Sequence, residues 1–64
     1  MTEIGHNIRL ARESAGLTQK ELATRIGVAQ ARIAEWERGK VDPTGSTLIK
    51  IAAALGIEPG ELLK

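Results

Sequence analysis

The chain contains no cysteine, phenylalanine or tyrosine, and a single tryptophan, Trp36, is its only aromatic residue. Without cysteine, neither disulfides nor thiolate metal sites can stabilise the fold. Without phenylalanine or tyrosine, RNA-binding modules that stack bases on aromatic side chains are disfavoured. The core must therefore come from leucine, isoleucine, valine, alanine and Trp36. At 64 residues, we expect a single domain, 1–64, of a size that folds alone with marginal stability.

Long apolar runs are also missing. No segment approaches the ~20 apolar residues of a membrane span. No apolar run follows the charged residues near the N-terminus, as it would in a secretory signal. We therefore expect a cytoplasmic protein that does not contact a membrane.

The net charge is small, at +1. Residues 1–40 carry seven Lys and Arg against five Asp and Glu, which gives +2. Residues 41–64 carry two against three, which gives −1. This bias has the direction expected of a nucleic-acid-binding protein, but it is weak evidence by itself.

Apolar residues recur at helical spacing throughout the chain, so the predicted fold class is all-α. The five predicted helices cover about 3–15, 18–27, 30–38 and 47–55, with a last short turn that starts near Pro59. Thr18 and Glu21 form a capping box at the second helix start. A loop is expected at 42–46, where proline and glycine interrupt the pattern.

The second and third predicted helices are joined by a short glycine turn, which is also the pattern of a plain helical hairpin. Three details favour a DNA-binding function. Gln19 lies in the first turn of the second helix, where free N–H groups suit a phosphate. Gln30 opens the third helix, and its amide can pair with the N6 and N7 edge of adenine. Lys40 follows Gly39 at the far end, where it can reach a phosphate.

The third predicted helix has one buried and one outer face. With Ile33 at the centre of the buried face, Trp36 and Glu37 flank it at ~100° per residue. The outer face is expected to hold Ala31, Ala34, Glu35 and Arg38, with Arg32 to one side. The two alanines can contact thymine methyl groups. Glu35 can accept from a cytosine amino group or repel phosphate at wrong sites.

Four motifs are in register along nearly the whole chain. They are Thr18-Gln19-x-Glu21-Leu22-Ala23, Gly27-Val28-x-Gln30, Glu37-x-Gly39 and Ile51-Ala52-x-x-Leu55-Gly56. Together they resemble the Cro and lambda-repressor type of helix-turn-helix domain, the XRE family. The resemblance implies a compact five-helix bundle whose third helix reads the DNA major groove.

The resemblance also implies residue roles. Gln19 matches a glutamine that anchors the second helix to phosphates and often supports the next glutamine, and Gln30 matches the main base-reading position. The full predicted DNA-binding set is Gln19, Gln30, Ala31, Arg32, Glu35, Arg38, Lys40 and Thr44. Arg12 and Glu37 match a pair that forms a partly buried salt bridge between the first and third helices.

The chain departs from the family pattern in several places. Ala29 stands where serine or threonine usually caps the third helix. Gly45 replaces an apolar residue, which should loosen the start of the fourth helix. Together with the alanines and Glu35 on the outer face of the third helix, these departures leave the operator sequence unreadable.

The other conspicuous residues have plain structural explanations. Trp36 is expected to be half-buried in packing, and His6 to be a solvated residue without a partner for a metal site. Leu62 and Leu63 could each pack in the core, or one of them could form a dimer contact; the sequence does not decide between these roles. Ser14 and Ser46 lack a matched base. We therefore expect no enzyme activity, no metal and no cofactor.

Two classes of function follow from this sequence. The leading one is a sequence-specific regulator of transcription, typically a repressor, that binds double-stranded DNA as a homodimer on an inverted repeat. The family also includes antitoxins and restriction-modification controllers, so a partner protein such as a toxin belongs to the implied partners. The alternative is a protein-interaction adaptor with the same fold, which the low net charge and Glu35 favour.

Overall fold

The computed structural model describes residues 3–64, so the first two residues of the predicted domain 1–64 lie outside the described residues. The described chain is all-α, as predicted, and contains no strand. Its elements are α1 (Ile4–Ser14), α2 (Gln19–Ile26), α3 (Gln30–Glu37), α4 (Gly45–Leu55) and a C-terminal 3-10 turn (Pro59–Leu62).

The prediction of five helices is wrong in its last element, because residues 59–62 form a single 3-10 turn. Its hydrogen bonds span three residues, from Glu61 N to the Glu58 carbonyl and from Leu63 N to the Gly60 carbonyl. Asn7 Nδ2 on α1 donates to the carbonyls of Leu62 (3.0 Å) and Lys64 (2.9 Å). These two hydrogen bonds attach the C-terminal turn to α1.

Local capping signals set the limits of α2. The Thr18 hydroxyl accepts from Glu21 N at 3.0 Å, and Thr18 N donates to Glu21 Oε1 at 2.8 Å, so the predicted capping box is present. Gly27 ends the helix with φ of 78°, a left-handed conformation that favours glycine.

The fourth helix begins two residues before its predicted start at 47, because Thr44 is its N-cap. The Thr44 hydroxyl accepts from Thr47 N at 3.4 Å, and its backbone is extended. The predicted loop at 42–46 is therefore shorter than expected, and Gly45 is the first helical residue.

The core receives one fully buried large side chain from each element, namely Ile8, Leu22, Ile33, Ile51 and Leu62. Trp36 joins this core and is only 4% exposed, so it is more deeply buried than predicted. Leu62 is core, whereas Leu63 is 59% exposed. Among the described residues, no helix has the length and apolar character needed to span a membrane.

Candidate nucleic-acid interface

Helices α2 and α3 form a helix-turn-helix whose inner face is fixed by the core. Leu22 and Ala23 of α2 and Ile33 of α3 are buried together. After Gly27, Val28 N donates to the Ala23 carbonyl at 3.0 Å, which closes the turn between the helices. Because Ile33 and Trp36 point inward, the opposite side of α3 is held toward solvent.

The structure brings most of the predicted DNA-binding residues to the surface around α3. Gln30, Ala31, Arg32, Arg38, Lys40 and Thr44 are exposed, and Gln19 and Glu35 are half-buried. Ala34, which the helical pattern placed on the outer face, is also half-buried. We define the α3 outer face by Ala31, which lies opposite Ile33 and Trp36, with the exposed Gln30 and Arg32 at its two edges. Ala34 and Glu35 are less exposed than these three residues.

A Schellman-type turn ends α3 and sets the direction of Lys40. Gly39 has φ of 77°. Gly39 N donates to the Trp36 carbonyl and Lys40 N to the Glu35 carbonyl, both at 3.1 Å. Arg38 and Lys40 therefore lie exposed on either side of this turn, where two cations suit a phosphate backbone.

Thr44 has a structural task besides its predicted phosphate contact. Its hydroxyl caps α4 and lies 3.0 Å from the Thr47 hydroxyl and 3.3 Å from that of Ser46. Three hydroxyls thus cluster at the exposed start of α4, on the chain segment that follows the α3 turn.

The predicted pair Arg12 and Glu37 lies in the interior between α1 and α3. Arg12 Nε is 2.7 Å from Glu37 Oε2, and Arg12 Nη2 is 3.1 Å from Glu37 Oε1. Arg12 Nη1 also donates to the Leu17 carbonyl at 2.7 Å. Hydrogen bonding to the Glu37 carboxylate raises the pKa of the Arg12 guanidinium above its usual value, although burial acts in the opposite direction. The guanidinium therefore stays charged and bidentate.

Sequence reasoning missed a third member of this cluster. Gln19 Nε2 donates to Glu37 Oε1 at 3.0 Å, so the side chain at the first position of α2 is tied to the last residue of α3. The resemblance suggested that Gln19 supports Gln30, whereas the hydrogen bond goes to Glu37. The two residues are 18 positions apart on different helices, and no local pattern signals their contact.

The site has the chemistry of an anion-binding surface. On α2, on α3 and just after α3 four cations are exposed, namely Lys20, Arg32, Arg38 and Lys40, and Glu35 of α3 is half-buried. Across residues 3–64, no group of three or more His, Cys, Asp and Glu side chains is placed to hold a metal ion. Binding to a polyanion such as a nucleic acid is what this arrangement favours.

Comparison with known proteins agrees with this geometry. Residues 8–62 match the model of a helix-turn-helix family. The chain is 40% identical over 60 residues to an uncharacterized HTH-type transcriptional regulator of Sinorhizobium fredii, covering 94% of this chain and 78% of the relative. It is 43% identical over 56 residues to human endothelial differentiation-related factor 1, covering 88% of this chain and 38% of that protein. The chain thus spans well under half of the human relative.

A solved structure with the same fold contains DNA. The P22 c2 repressor in complex with a synthetic operator superposes with a TM-score of 0.89 at 33% identity. The match covers 100% of this chain and 97% of that one. The shared fold therefore extends over all the elements described above, including α2 and α3.

Proposed function

The chain belongs to the helix-turn-helix family, and from this premise we propose that it is a sequence-specific, double-stranded-DNA-binding regulator of transcription that acts as a repressor. One observation carries the proposal. The α3 outer face is exposed along the first turn of a helix whose opposite side, Ile33 and Trp36, is locked in the core. A rigid helix with one free face fits the major groove, which is about 12 Å wide.

Each side chain then has a distinct task at the DNA. Gln30 pairs with an adenine edge, Ala31 contacts a thymine methyl group, and Arg32 reaches a base or phosphate at the groove edge. Glu35 lies deeper and penalises wrong base pairs. The phosphate contacts come from Gln19, Arg38, Lys40 and Thr44. In this division of tasks, sequence preference comes from α3 and general affinity from the positions around it.

The regulator acts as a homodimer on an inverted repeat, with half-sites about 34 Å apart, or one helical turn. Support for pairing comes from Leu63, which is 59% exposed although its neighbour Leu62 is fully buried. An apolar side chain of this kind near the C-terminus suits a two-fold contact. The function requires no enzyme activity and no cofactor, and it places the protein with DNA in the cytoplasm.

A random-duplex selection with the purified protein tests the proposal. A specific regulator enriches one sequence, and its affinity for that sequence falls steeply as salt rises, because bound phosphates release counterions. Specific binding should exceed non-specific binding by at least about 10³-fold. The regulator proposal fails if no sequence is enriched at low salt.

The second candidate is a protein-interaction adaptor, or an antitoxin or controller component, built on the same fold. The net charge of only +1 and the half-buried Glu35 beside the α3 outer face favour it. Its partner would be a protein, such as a toxin, instead of an operator. This candidate would be supported if the protein showed little preference for any duplex over random DNA and bound a partner protein tightly.

A further inference from the structure

The carboxylate of Glu37 joins three helices at one buried point. Its side chain is 4% exposed, and it accepts three hydrogen bonds. Two come from Arg12 on α1, and one comes from Gln19 at the start of α2. We propose that Glu37 is a positioning residue for DNA recognition, which fixes the Gln19 amide for its phosphate contact. This proposal rests on the proposed DNA-binding function.

Arg12 makes this arrangement possible. A desolvated carboxylate is costly unless it is paired and hydrogen-bonded. Arg12 supplies the opposite charge with Nε and Nη2, while its Nη1 is occupied by the Leu17 carbonyl. Among the described residues, every buried side-chain nitrogen and oxygen has a hydrogen-bond partner. Glu37 Oε1 is therefore compensated and still accepts from the neutral amide of Gln19.

The bond to Glu37 fixes which way the Gln19 amide points. An amide offers two N–H donors on nitrogen and an acceptor oxygen. With the nitrogen 3.0 Å from a carboxylate oxygen, a flipped amide would place two oxygens against each other, which is repulsive. The second N–H therefore keeps a single direction at the N-terminus of α2, where the helix dipole favours a phosphate.

Gln30 provides an internal comparison. It is exposed at the first residue of α3, and within residues 3–64 no side-chain hydrogen bond restrains it. Its amide must be ordered by the DNA itself. The side-chain amides of the two glutamines therefore differ in how ordered they are before DNA binds. The protein orients the Gln19 amide, whereas the Gln30 amide adapts to the bases.

A double-mutant cycle separates positioning from simple stabilisation. We replace the buried pair together, as Arg12→Met/Glu37→Met, so that neither charge is left uncompensated. Gln19→Met is then made in the wild type and in this pair variant, and affinity is measured for the duplex that the wild type selects. We expect Gln19→Met to weaken binding about tenfold in the wild type, as for loss of a hydrogen bond to a charged group, and by less than twofold in the pair variant.

Lys40→Ala is the matched control, because Lys40 takes no part in the hydrogen bonds that join Arg12, Gln19 and Glu37. Its effect on affinity should be the same in both backgrounds. If Gln19→Met weakens binding equally in both backgrounds, Glu37 does not position Gln19 and this proposal is overturned. If the wild type binds no duplex, the proposed function itself is overturned.

A measurement on the free wild-type protein keeps the inference testable even if the pair variant does not fold. The side-chain amide protons of Gln19 should exchange with water more slowly than those of Gln30, and the Gln19 Nε2 relaxation should match that of the backbone. Equal exchange and mobility of the two glutamines would overturn the proposal without reference to DNA.

Discussion

Gly5 of α1 lies directly against the Trp36 carbonyl oxygen at the end of α3. A Cβ atom at Gly5 would overlap that oxygen and lie 3.1 Å from the Glu37 carbonyl oxygen. Both are backbone atoms, and the Trp36 carbonyl is also held by the hydrogen bond that it accepts from Gly39 N. Gly5 thus sets the distance between α1 and α3, and Arg12, two turns further along α1, reaches Glu37 because of this close approach.

The Gly5→Ala substitution should destabilise the protein, although alanine is the better helix former. The added methyl group has to push α1 and α3 apart, and overpacking of this kind typically costs about 1–3 kcal/mol. Helix propensity would return about 0.5–1 kcal/mol, so we expect a net loss. Urea unfolding followed by circular dichroism measures the difference.

Gly45→Ala is the matched control for this prediction. Gly45 is the first residue of α4, and nothing lies within 4 Å of a Cβ placed there. We expect this variant to be as stable as the wild type or more stable by up to about 1 kcal/mol. A Gly5→Ala protein that unfolds at the wild-type urea midpoint would contradict the close approach.

Removing only one member of the Arg12–Glu37 pair should be worse than removing both. Arg12→Met leaves the Glu37 carboxylate buried without its counter-charge, and breaking a buried pair in this way costs about 3–5 kcal/mol. The Arg12→Met/Glu37→Met protein leaves no buried charge and should lose less. Thermal and urea unfolding of both variants check the order.

The surface pair Arg9–Glu13 serves as control for the buried pair. Its charged atoms are 3.6 Å apart, and the two side chains are 57% and 52% exposed. Because solvent screens such a pair, Arg9→Met should change stability by less than about 0.5 kcal/mol. If Arg9→Met and Arg12→Met lowered the free energy of unfolding equally, burial would not make the Arg12–Glu37 pair more important for stability than the surface pair.

Both limits of α2 and the end of α3 could be predicted because local signals determine them. Thr18 with Glu21 starts α2, and Gly27 and Gly39 end their helices, so each residue acts within one turn of its own position. The start of α4 was missed because Thr44 and Thr47 both have the chemistry of a cap. The attachment of the closing 3-10 turn to α1 depends on Asn7, more than fifty residues away in the chain.

The sequence predicted which side of α3 faces outward, but it did not predict how deeply each side chain is buried. Helical periodicity placed Ala31, Ala34, Glu35 and Arg38 outward; Ala31 and Arg38 are exposed, whereas Ala34 and Glu35 are half-buried. Helical periodicity gives the angular position of a residue around the helix axis, but it does not show how closely another helix approaches. Trp36 is therefore more buried than predicted. The Gln19–Glu37 bond depends on such an approach between helices, and no spacing in the sequence encodes it.

Stability should fall in acid partly through Glu21. The hydrogen bond from the Thr18 backbone N–H holds the pKa of the Glu21 carboxyl below its usual 4.5. A carboxyl with a lowered pKa in the folded state contributes stability above the unfolded value, and this contribution is lost as pH falls through the folded value. The difference in melting temperature between wild type and Glu21→Gln should therefore shrink from pH 6 to pH 3.

A direct titration checks the cause of that pH dependence. The carboxyl carbon of Glu21, followed by NMR, should titrate with a midpoint below 4.5. Thr18→Pro removes the backbone donor and should move the midpoint upward. A midpoint at or above 4.5 in the wild type would mean that the capping box does not favour the charged form.

Substitutions of Gln30 and Lys40 should weaken DNA binding in different ways. Gln30→Ala removes a bidentate contact to one base, so we expect a loss of about 1–3 kcal/mol on the selected duplex and relaxed preference at one base pair. Lys40→Ala removes a phosphate contact, which should weaken binding to all sequences alike and lower the salt slope by about one. Affinities for the selected duplex and for each single-base variant, measured at several salt concentrations, distinguish the two. If both substitutions weaken every sequence equally with the same salt slope, the α3 outer face does not read bases through Gln30.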